Sequence, residues 1–178
     1  MGRSAKPAPS SKARGNKLGH ASDRLFTDRR FRQKDNSTPG IAVCSVCQAI
    51  NYDKHWFIDP AKLKALKKKS NVHNVRCPGC ERIERHIHEG EVVLESNLLK
   101  ADRTSCMGLI KHTEGKAWHD NPMSRIASIV ERGNRIEILT TTRWLAARLG
   151  KEFHKCYKGK LEIKPSPREK YVRVYWSR

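Results

Sequence analysis

A chain of 178 residues is long enough to bury a core of its own, so its fold need not lean on disulfides. Thirty-seven Lys and Arg against eighteen Asp and Glu leave a formal net charge of +19, which points to a polyanionic partner, with nucleic acid first among them. No stretch approaches the roughly 20 apolar residues that cross a bilayer, and the first 35 residues hold no apolar secretory core, so a cytoplasmic protein without a membrane partner is expected.

Residues 1–38 carry ten basic and three acidic residues among Pro7, Pro9, Gly15 and Gly19, and their few large apolar side chains keep no period. Such a segment buries too little surface to offset its ordering entropy. It reads as a disordered basic arm, with a short helix at most through LFTDRRFRQ. Arg29, Arg30 and Arg32 are its candidate phosphate contacts; the plain alternative is a solvated tail. The Arg-, Lys- and Ser-rich opening shares its composition with organelle transit peptides but has no amphipathic stripe.

Residues 41–88 hold Cys44-x-x-Cys47 and, after 29 intervening residues, Cys77-x-x-Cys80. In a reducing compartment two such pairs read as metal knuckles, each offering two thiolates to one tetrahedral ion. Zinc suits the set, since it needs no redox cycling and accepts four sulfurs, and one structural zinc ion per chain is expected. Pro78 and Gly79 permit a sharp turn that aims backbone N–H groups at sulfur, and Arg76, Arg82 and Arg85 stand near enough in sequence to offset thiolate charge. A thioredoxin-like redox unit would want a single Cys-x-x-Cys at a helix start. His86 and His88 follow closely enough to replace a thiolate, though histidines in basic surroundings usually face solvent, and Cys106 and Cys156 read as small core residues on helices.

The spacer between the pairs exceeds the usual ribbon interval of about 15 to 20 residues, so it should carry structure of its own. Asp59-Pro60 opens a helix whose Leu63, Ala65 and Leu66 form a narrow apolar edge. Lys62, Lys64, Lys67, Lys68 and Lys69 make the rest of it a positive surface that fits phosphate.

From residue 91 to 178 the pattern changes to strands and longer helices. Val92–Glu95 reads as a strand, and Ser96 or Asn97 caps a helix through Leu98, Leu99, Met107, Leu109 and Ile110, weakened by Gly108 and Gly115. IASIVER and RIEILTT flank Gly133-Asn134, a hairpin signal. Thr142 caps a helix with a stripe of Leu145, Ala146, Leu149, Phe153, Cys156 and Tyr157 that ends by Gly159. LEIK and YVRVYW follow as final strands. The order β-α-β-β-α-β-β predicts an α+β fold, a four-cysteine zinc ribbon followed by a ferredoxin-like split β-α-β sandwich with helices on one sheet face. Alternation in the last strand sends Val172, Val174 and Trp176 inward and leaves Tyr171, Arg173 and Tyr175 on the other face, a set that can stack on unpaired bases and hold a phosphate.

Together, CSVCQAINYDKHWF, VRCPGCERI and a β-α-β-β-α-β-β segment ending in YVRVYWSR resemble a small bacterial zinc-ribbon family related to the N-terminal region of the Nmd large-ribosomal-subunit export adaptors. The resemblance covers residues 24–178 for the bacterial family, and only the zinc region with the adjoining sandwich for the adaptors. It implies that Cys44, Cys47, Cys77 and Cys80 ligate zinc in a module that docks on ribosomal RNA and protein. The adaptors' second set of zinc cysteines and further domains have no counterpart in this sequence, so no export role is implied. The expected partner is RNA, ribosomal RNA or the large ribosomal subunit, and the alternative is a zinc-ribbon DNA-binding or transcription-associated protein. No His-Glu-x-x-His, phosphate loop or nucleophile motif occurs, so neither an enzyme nor a small-molecule substrate is expected.

Overall fold

The computed structural model describes residues 38, 40–68 and 71–178. Residues 1–37, with Arg29, Arg30 and Arg32, and residues 39, 69 and 70, Lys69 among them, lie outside these, as does the arm expected there. The described chain is a mixed α+β protein with two sheets, and no described helix is long and apolar enough to cross a membrane.

The first sheet is assembled from three-residue strands: β1 (Ala42–Cys44), β2 (Ile50–Tyr52), β3 (His55–Phe57) and β4 (His73–Val75), in the order β3-β2-β1-β4. β1 runs antiparallel to β2 and parallel to β4. Asp53 and Lys54, both with positive φ, form the two-residue turn between β2 and β3. Cross-strand register puts Ala42, Asn51 and Trp56 on one face and Val43, Ile50 and Phe57 on the other. The first face packs with the cysteines, and the second is covered by Leu63 and Leu66 of α1 (Pro60–Leu66). That helix starts where the sequence predicts, because the Asp59 carboxylate accepts the Lys62 N–H at 2.9 Å and Pro60 needs no donor partner. A second short helix, α2 (Pro78–Glu84), begins at Cys77.

The second sheet comprises β5 (Gly90–Glu95), β6 (Ile126–Arg132), β7 (Arg135–Thr140), β8 (Lys160–Pro165) and β9 (Val172–Ser177), in the order β6-β7-β5-β9-β8. Strands β5 and β6 are separated by β7, the split arrangement expected for this half of the fold. The other half departs from a four-stranded ferredoxin-like sandwich: β9 is inserted parallel to β5, and β8 is left at the edge. Burial explains the order. Val172, Val174 and Trp176 are at most 1% exposed, whereas Leu161 and Ile163 of β8 stay half-buried, so the more apolar strand takes the inner position.

Three helices cover one face: α3 (Leu98–Ala101), α4 (Arg103–Asp120) and α5 (Arg143–Tyr157). The helix expected from Leu98 onward is broken at Asp102, whose side chain instead caps α4 by accepting the Ser105 N–H at 3.3 Å. Helix α4 then runs unbroken through Gly108 and Gly115, because Cys106, Ile110, Thr113 and Ala117 bury one continuous stripe. Each glycine costs about 1 kcal/mol relative to Ala in a helix interior, and no atom of the fold lies within 4 Å of where either Cβ would stand. Cys156 departs from its expected place in the α5 stripe and is exposed, while Cys106 is buried. At Gly150 the helix presses so closely on β9 that a Cβ would meet Val174 Cγ1 at 2.3 Å, which fixes Val172, Val174 and Trp176 as the helix-facing set.

Candidate metal centre

Two tight turns bring the thiols together. β1 ends at Cys44, and the chain doubles back when Cys44 N–H donates to Ala49 O (2.8 Å) and Gln48 N–H to Cys44 O (3.0 Å), with Gln48 at φ 62°. The parallel neighbour β4 delivers the second pair to the same end of the sheet, tied by Ser45 N–H to Val75 O at 3.0 Å. Cys77 N-caps α2. All four Sγ atoms lie within 4.8 Å of one another, and Cys47 and Cys77 approach to 3.6 Å. A tetrahedral ion with metal–sulfur bonds of about 2.3 Å sets sulfurs about 3.8 Å apart, so the cluster has the dimensions of one four-sulfur site. Backbone N–H groups point at sulfur, Cys77 N to Cys44 Sγ at 3.3 Å and Cys80 N to Cys77 Sγ at 3.4 Å. These four cysteines can therefore bind a metal ion.

The protonation of the cluster shows what such an ion would change. The Cys77 thiol donates to Cys47 and holds Cys47 down at about 5. That same bond, then burial, pushes Cys77 well above the ordinary thiol range, and burial pushes Cys80 up to about 11. Cys77 and Cys80 thus keep protons that a divalent cation would displace, whereas Cys47 is held as a thiolate. Trp56, Ala42 and Ala49 pack around the sulfurs.

The arginines next to the second pair do not serve the thiolates as expected. Arg76 pairs with Glu84, Arg85 with Glu81 at 3.1 Å, and Arg82 with Glu89 at 2.7 Å while donating to Thr141 O at 2.8 Å. Arg82 is a strut from the cysteine knuckle to the large sheet. Gly79 has a related role: it sits in a helical turn with ordinary φ, and a Cβ there would stand 2.5 Å from Pro122 O. Neither role could be read from the sequence, because Pro122 and Thr141 are remote along the chain. Gly79→Ala is expected to keep the metal yet lower stability by about 1 to 3 kcal/mol, read as a shifted urea midpoint at unchanged metal content. An unchanged midpoint would show that this contact is dispensable. His86 and His88 stand outside the sulfur cluster.

The candidate phosphate and base contacts separate into groups. The Lys62 ammonium lies over the rings of Tyr52 (4.2 Å) and Phe57 (4.9 Å), so it is engaged within the small sheet. Lys64, Lys67 and Lys68 are exposed, but only Lys64 is on α1, with Lys67 as its C-cap. Tyr171, Arg173 and Tyr175 do face away from the helices. Arg173 stands 3.4 Å from Glu91, with its guanidinium 5.4 Å over the Tyr171 ring, and burial pushes the Tyr171 hydroxyl up. Tyr175 is 38% exposed and lines, with Lys160, Glu162, Lys164 and Ser177, an open hollow of about 270 Å³. Sequence reasoning missed those β8 residues, although the alternation of LEIK places Glu162 and Lys164 on one side. Lys160 and Lys164 each stand 2.8 Å from Glu162 and hold its carboxyl at about 2, and Lys164 lies 5.3 Å over the Tyr175 ring. Arg173, Lys160 and Lys164 are thus engaged by carboxylates and rings.

No family model, curated protein or solved structure matches the chain.

Proposed function

We propose that this protein holds one structural zinc ion in Cys44, Cys47, Cys77 and Cys80 and acts as a cytoplasmic, RNA-associated accessory factor of the ribosome, not as an enzyme. The observation that carries the reading is a closed cluster of four thiols, with no fifth ligand among the described residues, in a chain of net charge +19. Four thiolates fill a tetrahedral shell and leave no position for substrate, which favours a scaffolding ion over a catalytic one. The charge favours a phosphate backbone as partner, and the resemblance to the export-adaptor zinc region favours ribosomal RNA over DNA. Arg29, Arg30, Arg32, Lys64, Lys67, Lys68 and Lys69 are its phosphate contacts in this reading. Tyr171, Arg173 and Tyr175 are its base-stacking platform, engaged when RNA draws Arg173 away from Glu91.

Crosslinking the tagged protein in cells and sequencing the attached nucleic acid tests the proposal. Reads concentrated in ribosomal RNA are expected. Genomic DNA in their place would establish the transcription-associated alternative, and the absence of any attached nucleic acid would overturn both.

A further inference from the structure

The charge of the large sheet's two sides is unequal. On the open face Arg135 is met by Glu137 and Glu95, Arg173 by Glu91, and Lys160 and Lys164 by Glu162, while exposed Arg132, cross-strand from Arg135, has no carboxylate partner among the described residues. The helix side is different. The outward ridge of α4 runs through Thr104, Gly108, Lys111, His112, Gly115 and His119, all exposed and spaced at intervals that keep them on one helix face. Lys116 is exposed beside that ridge, and α5, packed alongside, adds exposed Lys155.

The acidic side chains of α4 and its cap are turned elsewhere. Glu114 accepts the Ile126 N–H at 2.8 Å and stands 3.7 Å from Arg125, Asp120 pairs with Arg148 at 3.4 Å, and Asp102 caps α4. Among the described residues, no carboxylate pairs with Lys111 or Lys116. The ridge is therefore a helix face free of carboxylates whose cations are uncommitted, the complement of a phosphate backbone.

Two further observations set what kind of polyanion it fits. Trp118 on the flank of the ridge is half-buried with the Arg125 guanidinium 5.4 Å over its ring, and the ridge carries no exposed Phe, Tyr or Trp, so it lacks the open stacking platforms that single strands use. Its two glycines, which pack against nothing in the fold, lie about 10 Å apart on one line and let a partner's backbone approach the helix axis more closely than any side chain would. We infer that the α4 ridge, centred on Lys111, Gly115 and Lys116, docks on the sugar–phosphate backbone of double-stranded RNA, reading shape and charge rather than sequence. The inference rests on the RNA-binding reading and assigns the duplex contact to the helix side, leaving the tyrosine face for unpaired bases.

The full chain with its metal is tested against a 20-base-pair RNA duplex and a single strand of the same length. Lys111→Gln with Lys116→Gln is expected to weaken duplex binding about ten-fold near physiological salt and to flatten the log–log salt slope by about 2, one unit per lost phosphate contact. Arg168→Gln with Lys170→Gln, an equal loss of charge in the exposed loop before β9, should change binding less than two-fold. Equal losses in the two double variants would overturn the ridge, since only net charge would then matter, while leaving RNA binding intact. Gly115→Ala is expected to raise the melting midpoint and still weaken duplex binding; duplex binding like the parent's would overturn the close approach. Tighter binding of the single strand, with the duplex unaffected by the lysine changes, would overturn the duplex assignment. A parent protein that binds neither RNA would remove the RNA-binding reading itself.

Discussion

Cys77→Ser is expected to abolish metal binding and unfold residues 41–84 while the five-stranded sheet survives. Cys77 supplies a ligand atom, caps α2 by accepting the Cys80 N–H, and donates its own N–H to Cys44 Sγ. Serine can cap the helix but is a poor replacement for a thiolate ligand. The small sheet has little else to rely on, since its strands are three residues long and its core is two small clusters built on Val43, Ile50 and Leu66 and on Ala42, Ala49 and Trp56. Cores of that size contribute only a few kcal/mol, whereas structural zinc sites contribute on the order of 10 to 16 kcal/mol of apparent binding energy. The two sheets do not respond independently, because Gly79 abuts Pro122 and Arg82 reaches Thr141 O. Elemental analysis should give one zinc per parent chain and none in the variant. Amide exchange should become fast at Ile50 and Asn51, stay slow at Val92, Ile138 and Val174, and accelerate at Met123 to Arg125. Continued protection of Ile50 in metal-free protein would show that the small sheet folds without the ion.

Trp176→Ala should cost about 3 to 5 kcal/mol, the range for deleting a buried Trp or Phe ring. The indole is 1% exposed, its ring centroid lies 5.3 Å from Phe153 and 6.3 Å from Tyr157, and its Nε1–H donates to Lys158 O at 2.6 Å. That bond anchors the C-terminal end of α5, where Lys158 adopts φ 59°. Alanine would open a cavity between α5 and β9 and leave the carbonyl without its donor. Trp176→Phe separates the two effects: packing is largely recovered but the bond is not, for a loss of about 1 to 2 kcal/mol. Urea unfolding followed at the large sheet measures both. An alanine variant within about 1 kcal/mol of the parent would mean that β9 is not held in its inner position by this ring.

The sequence by itself determined the features that depend on near neighbours. Cys-x-x-Cys spacing makes two thiols converge within one turn, so both pairs were legible as metal knuckles, although a remote interval separates them. Asp59-Pro60 and Thr142 marked helix starts because a cap acts over three residues, and the alternation in YVRVYW told inward from outward side chains because a strand has a period of two. Tertiary structure alone decided that β9 lies inside β8, that Gly79 is required by Pro122 rather than by its own turn, and that Arg82 reaches across to Thr141 instead of serving the sulfurs. It also decided that α4 keeps two glycines on an open basic ridge while Arg135, Lys160, Lys164 and Arg173 of the tyrosine face are met by glutamates. Each of these is a choice of partner between residues distant along the chain. Local preferences leave several partners nearly equal in free energy, and the choice among them follows from the total surface that the assembled layers bury and the charges they bring within reach.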